Sequence, residues 1–302
     1  MCGIIGAFHK KERGAVNSEV IDIFEDQYQR GTEGFGIVGI DGNLKPSIMR
    51  STEGAKFMFD LHKKDWNMML VHHRTPTSTN NKLNQTHPLL ISHEELPSDF
   101  LVAHNGMIRN DYKLHEEHEK LGYAYTTTVT NKKGYAKWND SESLAIEVAR
   151  FISKLDNGIK AEGNTAFIAL EVSKATQRVI AVHFGRNTNP LNMTATRGRI
   201  LLSSEGKGEN ITPYILYSFN PKGDFKLKKR AMPFHEQPKL AQSYRPTSIT
   251  NVKNNKQEAW DVHTEDQRAS TISAKSIYPK FEKWDEEEKR WKRMYRGETT
   301  DI

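Results

Sequence analysis

The chain has 302 residues with a net charge of +6, 36% hydrophobic and 27% charged. That length buries a sizeable core in one large or two small domains. No apolar run approaches the ~20 residues a membrane-spanning helix needs. Acidic and basic residues are mixed without a Lys/Arg block, so the charge reads as a solvated surface and nucleic acid is not an expected partner. The start, Met1-Cys2-Gly3-Ile4-Ile5-Gly6, lacks the charged and apolar regions of a signal peptide, so a cytoplasmic location is expected.

In chain order, 20–29 reads as a helix. Residues 35–40 and 44–49 read as strands joined by Asp41-Gly42, a hairpin turn signal. Short apolar runs at 68–72 and 100–104 end in polar clusters. Residues 110–121 predict a polar helix. Residues 141–155 predict an amphipathic one, with Leu144, Val148, Phe151, Ile152 and Leu155 on one face. Strands are expected at 165–172, 178–184, 200–203 and 214–219. The composition changes near Phe234, which sets the expected domain at 2–233. Residues 234–302 read as a linker or partly disordered tail. In that tail Phe281, Trp284, Trp291 and Tyr295 have near-helical spacing, so a helix is expected near 280–295, able to dock on this domain or on a partner.

Cysteine usage narrows the chemistry. Cys2 is the one cysteine, which excludes a disulfide within the chain and a multi-cysteine zinc site. A lone cysteine is ordinarily a small buried hydrophobe. Its place directly after Met1 opens another reading. Removal of Met1 would leave thiol and free α-amine on one residue, and an amine of pKa near 8 can exchange protons at neutral pH.

Five further segments follow in order: Arg30-Gly31-Thr32-Glu33-Gly34-Phe35-Gly36, His73-Arg74-Thr75-Pro76-Thr77-Ser78, Thr86-His87-Pro88-Leu89, His104-Asn105-Gly106 and Asp140-Ser141-Glu142. Each has an ordinary reading. Arg74 could be a surface arginine, Asn105-Gly106 a type I′ turn, and Asp140 or Ser141 a helix cap. Arg30 and Gly31 could only shape a turn. His73, His87 and His104 lack the spacing of a metal set, and neither metal nor cofactor is expected.

Together with Cys2-Gly3-Ile4, the ordered set resembles the class II glutamine amidotransferases over roughly residues 2–205. The resemblance implies an α+β fold, the four-layer αββα sandwich of the N-terminal nucleophile hydrolases. It implies hydrolysis of L-glutamine to glutamate and ammonia through a γ-glutamyl thioester on Cys2. Asn105 and Gly106 would bind the oxyanion, Arg74 and Thr77 the α-carboxylate, and Asp140 the ammonium, with Arg30 and His87 in support. A planar guanidinium suits a carboxylate, and aimed donors suit a developing oxyanion.

Two departures stand out. Thr75 replaces a usual aromatic residue, and Ser78 a usual His or Gly. They keep open a hydrolase for other γ-glutamyl amides, and a non-catalytic protein on the same fold is a further alternative. The expected partners are L-glutamine and a separate synthase or synthetase subunit that would take the ammonia.

Overall fold

The computed structural model describes residues 2–10, 15–41, 46–54, 57, 61, 64–76, 83–130, 134–172, 177–184, 189–206, 208–220 and 226–231. It also describes the strand backbones of 282–285, 290–295 and 298–300. The chain divides into two compact units, Met1–Glu236 and Gln237–Ile302.

The first unit holds two antiparallel sheets. One contains β1 (Gly3–His9), β2 (Gly34–Ile40), β3 (Pro46–Ser51), β4 (Met68–Arg74), β11 (Asn192–Thr196), β12 (Arg199–Ser203) and β13 (Glu209–Asn210). Its order is β13-β11-β12-β1-β4-β2-β3. The other contains β5 (Leu89–Ile91), β6 (Asp99–Ile108), β9 (Gly163–Val172), β10 (Gln177–Phe184), β14 (Ile215–Phe219) and β15 (Lys228–Ala231), in the order β15-β14-β10-β9-β6-β5. A two-residue pair, β7 (Val129–Thr130) with β8 (Ala136–Lys137), stands apart from both.

Side chains alternate across a strand with period two, and this sorts the core. Ile4, Phe8, Val38, Ile40, Met68 and Leu70 of the first sheet meet Leu101, Ala103, Ala166, Ile168 and Leu170 of the second. The opposite face of the second sheet, through Phe100, Val102 and Phe167, is covered by Leu144, Val148, Phe151 and Ile152 of a helix. That helix is α3 (Asp140–Ile152), beside α2 (Asp111–Lys120). On the outside of the first sheet lies α1 (Asn17–Asp26). Its Phe24 packs 5.5 Å from Phe35, 5.1 Å from Phe57 and 4.2 Å from His73, ring centre to ring centre. The layers run helix, sheet, sheet, helix, as the resemblance implies. Among the described residues no helix is long and apolar enough to cross a membrane.

Two elements differ from expectation in instructive ways. β1 has no alternation to read, because all seven of its residues are buried. A strand covered on both faces is a continuous apolar run. β4 does not stop at His72: its polar end stays in the sheet because His73 stands opposite Gly3 of β1 and Arg74 opposite Gly34 of β2. The Gly42 turn position lies outside the described residues.

In the second unit the helix expected near 280–295 is replaced by three antiparallel strands, β16 (Glu282–Asp285), β17 (Arg290–Tyr295) and β18 (Glu298–Thr300). Trp284 stands opposite Trp291 in the register. Aromatic residues have high strand propensity, and tertiary pairing overrides a near-helical spacing.

Truncating Phe24, fully buried in the outer aromatic layer, removes packing that no neighbour can replace. Phe24→Ala is expected to cost about 3–5 kcal/mol, measured by urea unfolding of the parent and variant. A loss under about 1 kcal/mol would show that this layer does not anchor the sheet.

Candidate active site

Cys2 directly precedes β1, and alternation puts it on the same side as Ile4 and Phe8, between the sheets. Its sulfur is bracketed by one residue after β4: the Thr75 N–H donates to Sγ at 3.5 Å, and Sγ donates to the Thr75 carbonyl oxygen at 3.6 Å. Behind it, Arg30 Nε donates to the Cys2 carbonyl oxygen at 3.1 Å, and Arg30 forms an ion pair with Glu205 at 2.8 Å. Thr75 Oγ1 donates to the Arg30 carbonyl oxygen at 2.8 Å, closing the ring of contacts. Gly31 is required here. A Cβ would lie 2.6 Å from the Arg74 carbonyl carbon, so only glycine lets this loop touch the β4 backbone.

Burial pushes the Cys2 thiol pKa up, against the Thr75 N–H and the positive charge of Arg74, which pull it down. The thiol is therefore protonated at neutral pH with Met1 in place, and thiolate chemistry needs a base. With Met1 attached the Cys2 nitrogen is an amide and cannot serve.

The same cleft is lined by His72, Arg74, Gln85, His87, His104, Gly106, Asn139, Asp140 and Ser141. Arg74 follows His72 by two positions on β4, so both face between the sheets. Arg74 donates to Gln85 Oε1 at 3.3 Å. Asp140 opens α3, and its carboxylate accepts the Ile108 N–H at 2.7 Å. Burial, with a smaller contribution from the charge of Asp111, raises its pKa to about 6. The cleft thus carries a cation from one strand and a titratable acid from a helix start.

The helix cap is neither Asp140 nor Ser141, as the sequence reading had it. Asn139 is the cap: its side-chain oxygen accepts the Ser141 N–H at 3.1 Å. Capping by Asn139 leaves the Asp140 carboxylate to face the cleft. The preference of Asn for this position was a signal that could have found it.

Gly106 has φ +152°, and a Cβ there would lie 2.1 Å from the Asn164 carbonyl oxygen, so the position admits only glycine. The backbone of β6 is thereby exposed to the cleft. Neighbouring Asn105 is buried, and its Nδ2 has no hydrogen-bond partner among the described residues. A buried donor left open costs free energy, which marks it as an available donor. Thr77 and Ser78 lie outside the described residues.

The histidines form one wall. His72 and His87 lie 4.1 Å apart, ring to ring. Asn139 Nδ2 approaches His87 Nε2 at 3.4 Å, and His87 Nδ1 lies 3.1 Å from the His104 carbonyl oxygen and 3.3 Å from the His104 backbone nitrogen. His104 Nδ1 is 2.8 Å from the Ser141 hydroxyl. Desolvation dominates their titration: His104 is held near 3, and His72 and His87 well below the usual range; His73, on the opposite face of the sheet against Phe24, is likewise held near 3 by burial. All are neutral at pH 7. No group of three or more His, Cys, Asp or Glu among the described residues is placed to hold a metal ion.

Of the residues singled out in sequence, Cys2, Arg74, His87, Gly106 and Asp140 line the cleft, with Arg30 bonded behind Cys2. Gln85, Asn139, His72 and His104 were not assigned site roles. Gln85 carries no local signal, because its place depends on contacts 11 and 42 residues away.

No protein-family model matches the chain. Curated relatives include the isomerizing glutamine–fructose-6-phosphate aminotransferases of Sulfolobus acidocaldarius and Sulfurisphaera tokodaii. The first is 27% identical over 207 residues, 63% of this chain and 31% of that protein. The second is 25% identical over 213 residues, 68% of this chain and 33% of that protein. The chain therefore spans about a third of the length of the curated relatives it matches. Two solved structures share the fold. The allosteric regulatory enzyme of purine biosynthesis has a TM-score of 0.58 at 19% identity, covering 76% of this chain and 49% of that one. The glutamine phosphoribosylpyrophosphate amidotransferase from B. subtilis has a TM-score of 0.55 at 19% identity, with the same coverage.

The fold is that of the N-terminal nucleophile hydrolases. The likeness to class II glutamine amidotransferases read from the motifs is matched in sequence by the two curated aminotransferases.

The buried histidines set a pH dependence. Each is neutral when folded but titrates near 6.5 when unfolded, so below ~6.5 the unfolded chain binds more protons. Stability then falls as pH drops toward 3. Asp140 acts oppositely between its ordinary value and about 6, one group against four. The urea midpoint is expected to fall between pH 7 and pH 5. A midpoint that holds or rises would show the histidines are not buried neutral.

Proposed function

We propose that this chain is a glutaminase of the amidotransferase type, hydrolysing L-glutamine to glutamate and ammonia. The observation that carries the reading is a single thiol in one cleft with a guanidinium and a carboxylate. A free amino acid bears a carboxylate and an ammonium at one end, and Arg74 and Asp140 present the opposite charges. Thr77 is a further carboxylate contact in this proposal.

Removal of Met1 supplies the base. The α-amine of Cys2 then takes the thiol proton, and Sγ attacks the side-chain amide carbon. The tetrahedral oxyanion receives hydrogen bonds from Asn105 Nδ2 and the Gly106 N–H; removing one such donor typically costs ~10²–10³ in rate. Collapse breaks the C–N bond, and the amine returns its proton to the leaving nitrogen, so ammonia departs and a γ-glutamyl thioester remains. Water, deprotonated by the same amine, cleaves the thioester to glutamate and free thiol. Arg30 fixes the Cys2 carbonyl, and His87 braces the wall behind. The ammonia passes to a separate synthase or synthetase chain. A reduced thiol nucleophile suits the cytoplasm.

A second reading keeps the chemistry and changes the leaving group. Thr75 turns its hydroxyl to the Arg30 backbone, so no aromatic wall stands beside the sulfur, and a substituted γ-glutamyl amide would gain room. Comparing ammonia release from glutamine with hydrolysis of γ-glutamyl methylamide separates the two. A faster rate on the methylamide would favour the second.

The protein as isolated should lack Met1 by intact mass, and Cys2→Ala should abolish ammonia release while calorimetry still registers glutamine binding. Normal turnover in Cys2→Ala, or a retained Met1 in an active enzyme, would remove Cys2 from the nucleophile role.

Arg74→Lys keeps the charge and loses the two-pronged geometry. It should raise the KM for glutamine about 10-fold or more, with a smaller change in kcat. An unchanged KM would exclude Arg74 from the carboxylate clamp.

A further inference from the structure

The Arg74 guanidinium is tied to a hydrogen-bonded block that begins on α3. Glu142, buried in the first turn of that helix, accepts four bonds: from the N–H and hydroxyl of Thr126, both at 2.8 Å, and from the N–H and hydroxyl of Thr127, at 3.0 and 2.6 Å. A carboxylate has about four lone-pair sites, so all are used. The pinned Thr127 accepts Gln85 Nε2 on its carbonyl oxygen at 3.1 Å. Gln85, fully buried, then offers its Oε1 to Arg74 at 3.3 Å. Asn139 locks the block to the helix: its side-chain amide donates to the Gln85 carbonyl oxygen at 3.0 Å while capping α3, and its backbone N–H donates to Thr127 Oγ1 at 2.9 Å.

Both charged ends of the cleft therefore depend on one rigid unit. Asp140 sits in it directly, between Asn139 and Ser141. Arg74, on a strand of the other sheet, reaches it through the Gln85 amide. We propose that Gln85 is a positioning residue: it sets the distance between the Arg74 guanidinium and the Asp140 carboxylate, and so selects a substrate with α-carboxylate and ammonium on one carbon. Its neutral amide does this without competing for the guanidinium charge, as an acidic side chain there would. The inference rests on the glutaminase reading above and adds a residue to it.

The single cysteine makes a clean control, because iodoacetamide bears no α-carboxylate and alkylates Cys2 alone. The full, processed chain is compared with Gln85→Met, which keeps the volume and loses both amide bonds. The KM for glutamine should rise about 10- to 100-fold, the scale of a hydrogen bond to a charged group. The kcat should stay within about 3-fold, and the alkylation rate of Cys2 within about 2-fold, as expected for an interaction that acts on binding alone. If the Met variant does not fold, Gln85→Asn, one methylene too short to span Arg74 and Thr127, is read the same way. An unchanged KM overturns the role of Gln85, and so does a parallel loss of alkylation, which would mark general packing. A parent enzyme that releases no ammonia from glutamine instead overturns the glutaminase reading, and this inference with it.

Discussion

The register between β1 and β4 is the constraint on which the cleft depends. Gly3 stands opposite His73, so the residue before β1 lies beside the residues that end β4. That pairing puts the Cys2 sulfur against the Thr75 backbone and on the same side of the sheet as Arg74. A slip of one residue would turn Cys2 toward α1 and Arg74 away from it. The hydrophobic faces forbid the slip, because Ile4, Phe8, Met68 and Leu70 would lose the core between the sheets together.

The second sheet brings the complementary half. Its strand β6 carries Asn105 and Gly106 to the same end, and α3 packs on its far face with its start at the cleft. The cleft is largely desolvated, and its electrostatics follow. Its three histidines, His72, His87 and His104, stay neutral and the Asp140 pKa climbs to about 6. The thiol is held protonated by the same burial. In a site this dry, charge is retained only where it has partners, and Arg74 and Asp140 have them in Gln85 and the Ile108 N–H.

Legibility in the sequence followed the range of each interaction. The α3 helix was readable because a 3.6-residue period marks a face, and β6 because its apolar run ends in a polar cluster. β1 escaped because a strand buried on both faces shows no alternation. The tail segment at 280–295 misled because four aromatics at near-helical spacing also fit strands whose partners supply the register. The ordinary alternative of a cap at Asp140 or Ser141 misses by one or two residues, a margin within which Asn139, Asp140 and Ser141 are all good caps.

The sequence by itself determined the residue types and their order: one thiol after the initiator, an arginine two residues past a histidine, an asparagine–glycine pair and an acid at a helix start. Those are local properties, written in composition and short spacing. Only the tertiary structure decided that Gln85 braces Arg74, that Asn139 frees Asp140 for the cleft, and that the histidines are stripped of charge. Each of these depends on burial and on hydrogen bonds between segments far apart in the chain, and neither desolvation nor long-range bonding leaves a periodic trace in the residues that undergo it.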